Sequence, residues 1–230
     1  MHWFYDPTFT AESRSVRAEE AQHLKSLRIR PDEKLVVTDG KGGVFHCQAD
    51  GSAPGAVSVL SSEKVKPSGM RIQLIQAIAK GDRDELALQA SVELGINSVI
   101  AWQADHSISR WDGKEEKSLE RWRQIAISAM KQSQQAYLPE VSGPMHTTNL
   151  EPVGHGVLLL PQAERSITEI DLEADQYAVV VGPEGGISSS EVEQLVAAGF
   201  HTYRLGASVL RTSTAGPAAI AAIKSLRGLW

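Results

Sequence analysis

Apolar positions along this chain follow two different rhythms. Over the first seventy residues they come in short runs, KLVVT, VFHCQA and AVSVLS, separated by the turn pairs Asp39-Gly40, Gly42-Gly43, Asp50-Gly51 and Pro54-Gly55. Runs of that length between such turns predict hairpins closing into a small β-rich domain. One stretch breaks the rhythm: AEEAQHLKSLRI has a helical pattern and gathers His23, Lys25, Arg28 and Arg30, which pattern alone reads as a solvated surface helix. Lys66-Pro67-Ser68-Gly69 reads as a linker, dividing the chain into residues 1–69 and 70–230.

Beyond the linker, strand-like and helix-like segments alternate. IQLIQAIA predicts a strand, and DRDELALQASVEL a helix with Asp82 and Glu85 at capping-box spacing and Gly95 at its stop. SVIAW predicts a second strand. From about Glu115 to Ala136, the residues Leu119, Trp122, Ile125, Ala126, Ala129 and Met130 recur at helical spacing, and Pro139 marks the end. GVLLL, YAVVV and TYRL predict three further strands. The first two are apolar on both faces, as strands covered by helices on both sides of a parallel sheet must be. EVEQLVAAG, which Ser188 and Glu191 would cap, and AAIAAIKSLRGL predict the last helices. Repeated β-then-α order implies an α/β domain.

Composition changes this picture little. A chain of 230 residues with 42% hydrophobic and 22% charged side chains has the make-up of an ordinary globular protein, and its length suits two domains. The net charge of −5 disfavours a surface that binds polyanions everywhere. Residues 1–70 hold nine basic and nine acidic side chains, so the negative excess falls on the remainder, 14 basic against 19 acidic. Any nucleic-acid contact must then use selected patches. Cys47 is the single cysteine and the seven histidines lack ligand spacing, so no metal site is expected. MHWFYDPTF has no leader pattern, and no apolar run approaches the roughly 18 to 20 residues that span a bilayer, so a cytoplasmic location is expected.

Candidate chemistry sits on two glycine-bearing turns. In VVVGPEGGISSSEVEQ, Gly182, Pro183, Glu184, Gly185 and Gly186 follow a buried strand at the edge where α/β sheets bind ligands. Glycine there permits positive φ and close approach by a ligand, although a plain strand-to-helix turn has the same pattern. In LGASVLRTSTAGPAAIAAI, a strand ends at Leu205-Gly206, an irregular loop carries Arg211, and a Thr-Ser-Thr cluster is placed to cap the last helix. The two turns suggest one pocket. Neither G-x-G-x-x-G after the first strand of the domain nor G-x-x-x-x-G-K-[ST] occurs, so dinucleotide and triphosphate ligands lack their binding devices. GASVL lacks the closing glycine of a nucleophile elbow, which weighs against a serine hydrolase.

GPEGG followed by S-x-x-E, then LG-x-x-VLRT-x-TA about twenty residues on, resembles the bacterial small-subunit (16S) ribosomal RNA uridine N3-methyltransferases of the RsmE type, in the SPOUT superfamily. HLKSLRIR, KGDRDELALQASVELGI and ERWRQIAISAMKQSQQAYLPEV extend the resemblance over essentially the whole chain. The resemblance implies a PUA-like β-barrel followed by a SPOUT α/β domain with a deep trefoil knot, and a homodimer. It implies S-adenosylmethionine as cofactor, held by Leu160, Gly182, Pro183, Glu184, Gly185, Gly186, Leu205, Gly206, Val209, Leu210, Thr214 and Ala215. The transfer would be in-line, to uridine N3, with Arg211 stabilising developing negative charge and Glu184 as a candidate base. Small-subunit ribosomal RNA, free or in the assembled subunit, would be the partner, with His23, Lys25, Arg28, Arg30, Arg110, Arg121 and Arg123 as phosphate contacts. Relatives commonly carry Glu at the position of Ser213, Arg at Gln135 and Arg at His2. Two other readings stay open: a SPOUT enzyme methylating a ribose hydroxyl at another RNA site, and a ribosome assembly factor that keeps the pocket without catalysis.

Overall fold

In the first seventy residues, strands β1 (His2–Tyr5), β2 (Lys34–Thr38), β3 (Gly43–Ala49) and β4 (Val57–Lys64) form one sheet in the order β1-β2-β3-β4. The pairs β2–β3 and β3–β4 are antiparallel, as the hairpin turns predict, whereas β1 lies parallel to β2. The computed structural model describes all 230 residues, and these strands belong to a unit of Met1–Ser68 together with Met130–Leu138. Leu35, Val37, Phe45, Cys47 and Ala49 turn one face toward Phe4, Phe9, Val16 and Leu24, the last on helix α1 (Ala18–Ser26). Val36 and Val44 turn the other face toward Ala136, Trp3 and Tyr137. Burial on both faces is why KLVVT reads as an unbroken apolar run rather than an alternating one.

The second unit comprises Gly69–Ala129 and Pro139–Trp230. Its sheet contains β5 (Arg71–Ala77), β6 (Ser98–Trp102), β7 (Glu140–Met145), β8 (His155–Leu159), β9 (Gln176–Val181) and β10 (Phe200–Tyr203), in the order β10-β8-β9-β5-β6-β7. Every neighbouring pair is parallel. Helices α2 (Arg83–Glu93), α3 (Glu115–Gln132), α4 (Ser189–Ala197) and α5 (Thr212–Leu226) complete the alternation. Leu195 of α4 joins Ile75, Val180, Leu158, Trp102 and Phe200 in one core layer. Gly216 of α5 meets Leu74 and Val181, which as strand neighbours of Ile75 and Val180 point to the opposite face. Helices thus bury both faces of the central strands.

Local signals succeed and fail for identifiable reasons. Ser188 and Glu191 form the expected capping box at α4. Asp82 and Glu85 do not form one: Asp82 is left-handed (φ 50°) and makes no cap bond, while the buried Asp84 accepts from the N–H groups of Ala79 and Glu85. Helix α5 starts at Thr212, earlier than the alanine-rich stretch suggested, and Arg211 is its N-cap residue without a side-chain cap bond. Strand β7 has no counterpart in the sequence reading, because its Gly143-Pro144 pair looks like a breaker; an edge strand tolerates it. No helix is long and apolar enough to cross a membrane.

Candidate cofactor site

Strands β10, β8 and β9 adjoin and run parallel, so their carboxyl ends emerge on one edge of the sheet. The chain beyond each supplies one wall of a cavity of about 490 Å³, drawn from residues 159–162, 181–187 and 203–215. Such a crevice is where open α/β sheets hold ligands. Leu159, Leu160, Val181, Val209 and Leu210 make much of it apolar, with Gln162, Ser208 and Arg211 among its polar groups.

Hydrogen bonds between the walls hold this shape. Leu160 N–H donates to the Tyr203 carbonyl (2.9 Å), and Arg204 N–H to that of Arg165 (2.9 Å). Thr212 does not cap its helix; its hydroxyl donates to the Gly182 carbonyl (2.8 Å) and accepts from Gln76 Nε2 (2.9 Å). Gln76 is fully buried on β5, so one polar chain joins β5, the turn after β9 and the start of α5.

The glycines serve different ends. Gly186 (φ 76°) and Gly206 (φ 135°) adopt conformations that favour glycine, and each has open space where a Cβ would stand. Gly182 and Gly185 do not have positive φ. A Cβ on Gly182 would lie 2.6 Å from Ile187 Cγ1, and one on Gly185 would lie 3.0 Å from both Cβ and the carbonyl oxygen of His106. At these two positions glycine serves the packing of the turn itself.

Leu160, Gly182, Pro183, Glu184, Gly186, Leu205, Gly206, Val209, Leu210, Arg211 and Ala215 all line the cavity. Gly185 and Thr214 stand outside its lining. The Gly185 carbonyl faces His106 Nδ1 (3.1 Å), and Thr214 is exposed on the first turn of α5. Arg211 is exposed at the cavity and makes no ion pair. Glu184 Oε1 accepts from Arg83 Nη1 (2.8 Å) and from the Lys80 N–H (3.1 Å). Burial pushes the Glu184 carboxyl up, but its own backbone N–H, the Arg83 guanidinium and the Lys80 N–H outweigh it and hold it below the usual carboxylate value.

Arg83, Gln76 and Thr212 are site residues that the sequence reading passed over. Arg83 lies in a segment legible only as a helix start, and no local pattern ties it to a turn a hundred positions away.

The candidate phosphate contacts divide sharply. Lys25, Arg28, Arg30 and Arg110 are exposed and make no ion pair. His23 is engaged: its ring meets Phe4 edge-on (5.5 Å), and Nδ1 lies 3.3 Å from Glu20 Oε2 and 3.3 Å from Lys131 Nζ. Arg121 is paired with Glu85 (2.7 Å) and Arg123 with Glu116 (2.8 Å), so much of their charge is met by neighbours. Of the three positions at which the resemblance implies a different residue, Ser213 is half-buried beside the cavity's last wall, His2 is exposed on β1, and Gln135 Nε2 donates to Ser133 Oγ (2.9 Å). No group of three or more His, Cys, Asp or Glu is placed to hold a metal.

The profile of an RNA methyltransferase domain matches residues 66–224, and that of an RNA methyltransferase PUA domain matches residues 16–48. The chain belongs to this RNA methyltransferase family. Over 228 residues it is 37% identical to ribosomal RNA small subunit methyltransferase E of Mycobacterium tuberculosis, covering 94% of this chain and 87% of the relative. The corresponding protein of Aquifex aeolicus is 29% identical over 220 residues, 94% and 95% covered. Among solved structures, ribosomal RNA small subunit methyltransferase E of Neisseria gonorrhoeae bound to S-adenosyl methionine superposes with TM-score 0.89 at 30% identity, 98% of each chain covered. A Legionella pneumophila chain solved with the same cofactor gives TM-score 0.88 at 25% identity, 98% and 97% covered. In this methyltransferase the N-terminal unit is thus of PUA type and the parallel-sheet unit of SPOUT type, as the resemblance implied.

Proposed function

We propose that the chain transfers a methyl group from S-adenosylmethionine to N3 of a specific uridine in small-subunit ribosomal RNA. The observation that carries this reading is the single cavity that the two glycine turns and the end of β8 build at the carboxyl edge of the sheet. Its residues fit the cofactor. The volume lies in the range of small-molecule pockets, roughly 300 to 1,000 Å³. Leu159, Leu160, Val181 and Leu210 offer apolar contact to an adenine ring, and the irregular backbone of residues 205–210 offers polar groups to its edge and to a ribose. Open space at the Cβ positions of Gly186 and Gly206 leaves the backbone accessible. Bound there, the cofactor would supply an electrophilic methyl group on its sulfonium.

The chain's own residues must make uridine N3 a nucleophile. Neutral uridine carries a proton on N3 that must pass to water as the methyl group is taken up, and the charge that develops on the neighbouring carbonyl oxygens needs a cation. Arg211, exposed at the cavity without a counter-ion, is the group for that work. Glu184 is a poor base, since its carboxylate is stabilised in the ionised form and committed to Arg83 and Lys80. Its role is to order the turn. Lys25, Arg28, Arg30 and Arg110 are the stronger candidates for phosphate contacts, because His23, Arg121 and Arg123 already have partners. A uridine within folded RNA would have to be extruded to reach the cavity.

Three further features belong to this reading. Val209 (77% exposed), Leu229 and Trp230 (76% exposed) leave apolar surface on the C-terminal segment, which supports a homodimer. The trefoil knot that the resemblance implies belongs to this reading as well. A cytoplasmic location follows from a ribosomal substrate.

The test is incubation of labelled S-adenosylmethionine with unmethylated small subunits and with protein-free RNA, followed by mass spectrometry of the nucleosides. 3-Methyluridine is the expected product. A ribose-methylated nucleoside would favour the other SPOUT chemistry, and subunit binding without incorporation would favour the assembly factor. Sedimentation at micromolar concentration tests the dimer.

A further inference from the structure

Arg83, Glu184 and Arg211 are the charged residues that line the cavity. Arg211 stands alone, whereas Arg83 and Glu184 form an ion pair at 2.8 Å with side chains 38% and 19% exposed. The pair is fixed from both sides. Glu184 follows β9 in the glycine turn and also accepts the Lys80 N–H. Arg83 opens α2, reached through a left-handed Gly81-Asp82 step and anchored by Asp84, whose carboxylate takes the Ala79 N–H (3.2 Å). Arg83, at the start of α2, is therefore a lining residue from a fourth part of the chain, joined to the glycine turn by this contact.

We propose that the Arg83–Glu184 pair positions the glycine turn and cancels its own charge at the cavity wall, so that it sets the preference between the cationic methyl donor and the demethylated product. This inference rests on the cofactor reading above. S-adenosylmethionine has a sulfonium charge that S-adenosylhomocysteine lacks, and apart from the methyl group itself the two are alike. An intact pair presents little net charge to that sulfonium. Removing either partner leaves a whole charge on the cavity wall, where partial exclusion of water strengthens its effect.

The two single variants should therefore move the ratio of donor to product affinity in opposite directions. Glu184→Gln leaves the Arg83 charge unopposed and should weaken donor binding relative to product by about threefold to tenfold, the effect of one partly screened charge over several ångströms. Arg83→Gln should strengthen donor binding relative to product by a similar factor. The double variant should return near the starting ratio, and Arg83→Lys should stay close to it. Any loosening of the turn weakens both ligands together and cancels in the ratio.

Calorimetric affinities for donor and product, at low and at high salt, decide the matter, with thermal melting of each unliganded variant as a check on folding. Opposite shifts that shrink in high salt support the proposal. Equal ratios in both single variants, or shifts of the same sign, overturn it while leaving the cofactor reading standing. An unaltered protein that binds neither ligand overturns both.

Discussion

Thr212 shows how much one hydroxyl can organise. It stands between a fully buried amide and a backbone carbonyl at the cavity edge, so Thr212→Val would leave Gln76 Nε2 and the Gly182 carbonyl without that partner. We expect a loss of about 1–3 kcal/mol in chemical denaturation, with Thr212→Ser recovering most of it. Gly206 poses the reverse problem, since its Cβ would meet nothing within 4 Å but its φ of 135° lies where L side chains rarely sit. Gly206→Ala should cost about 1–3 kcal/mol through strain alone, seen as weaker cofactor binding if the loop relaxes instead. Glu184 adds a pH dependence. Its carboxyl is held below the ordinary 4.5, so its stabilising contribution is complete above that value and is lost as pH falls through the lower folded value. Glu184→Gln should remove that part of an acid titration followed by intrinsic fluorescence.

At the scale of elements, α4 is anchored by a carboxylate that does more than cap it. Glu191 is 1% exposed and accepts from the Ser188 N–H (3.1 Å), the Asp105 N–H (2.9 Å) and the Thr147 hydroxyl (2.8 Å). Glu191→Ala would strand all three donors and should cost about 3 kcal/mol or more, whereas Ser188→Ala should cost about 1 kcal/mol. The capping box was legible from S-x-x-E, but the bonds to Asp105 and Thr147 were not, because those residues lie over forty positions away. The β8–β10 edge carries a second titration. Burial, then the stacked His201 ring at 5.1 Å, lower the pKa of His155, with Arg165 acting in the same sense and Asp171 opposing. His155 Nε2 also lies 2.9 Å from the Tyr203 hydroxyl, and the ring packs edge-on against Tyr177. The folded state thus favours the neutral ring, so stability should fall as pH drops below 6.5 and through the depressed value. Melting curves between pH 5 and 7.5 should show that slope reduced in His155→Gln.

For the molecule as a whole, the instructive segment is 130–138. The linker at Lys66–Gly69 ends the first run of the N-terminal unit, yet that unit includes Met130–Leu138. Ala136 covers Val36 and Val44, its carbonyl accepts from the Gly42 N–H (2.9 Å), and Leu138 N–H donates to the Gly40 carbonyl (2.9 Å). Residues 1–69 expressed alone should therefore expose an apolar sheet face, bind a hydrophobic dye and unfold without a sharp transition. A cooperative, dye-free fragment would refute this.

Periodicity along the chain determined most of the strands and helices of the parallel sheet, because a repeat of two or 3.6 residues is set by which face must leave water, and that is a local property. The spacing of GPEGG and LG-x-x-VLRT likewise marked two cavity walls, since the backbone freedom of Gly186 and Gly206 and the close packing at Gly182 and Gly185 are both written in the glycines themselves. Tertiary structure alone decided what depends on distant pairing: the parallel seat of β1, the edge strand β7, the place of Arg83 at the cavity, and the Gln76–Thr212–Gly182 chain. Each of these joins residues far apart in sequence, and a local pattern holds no information about which buried donor meets which acceptor until the chain has closed.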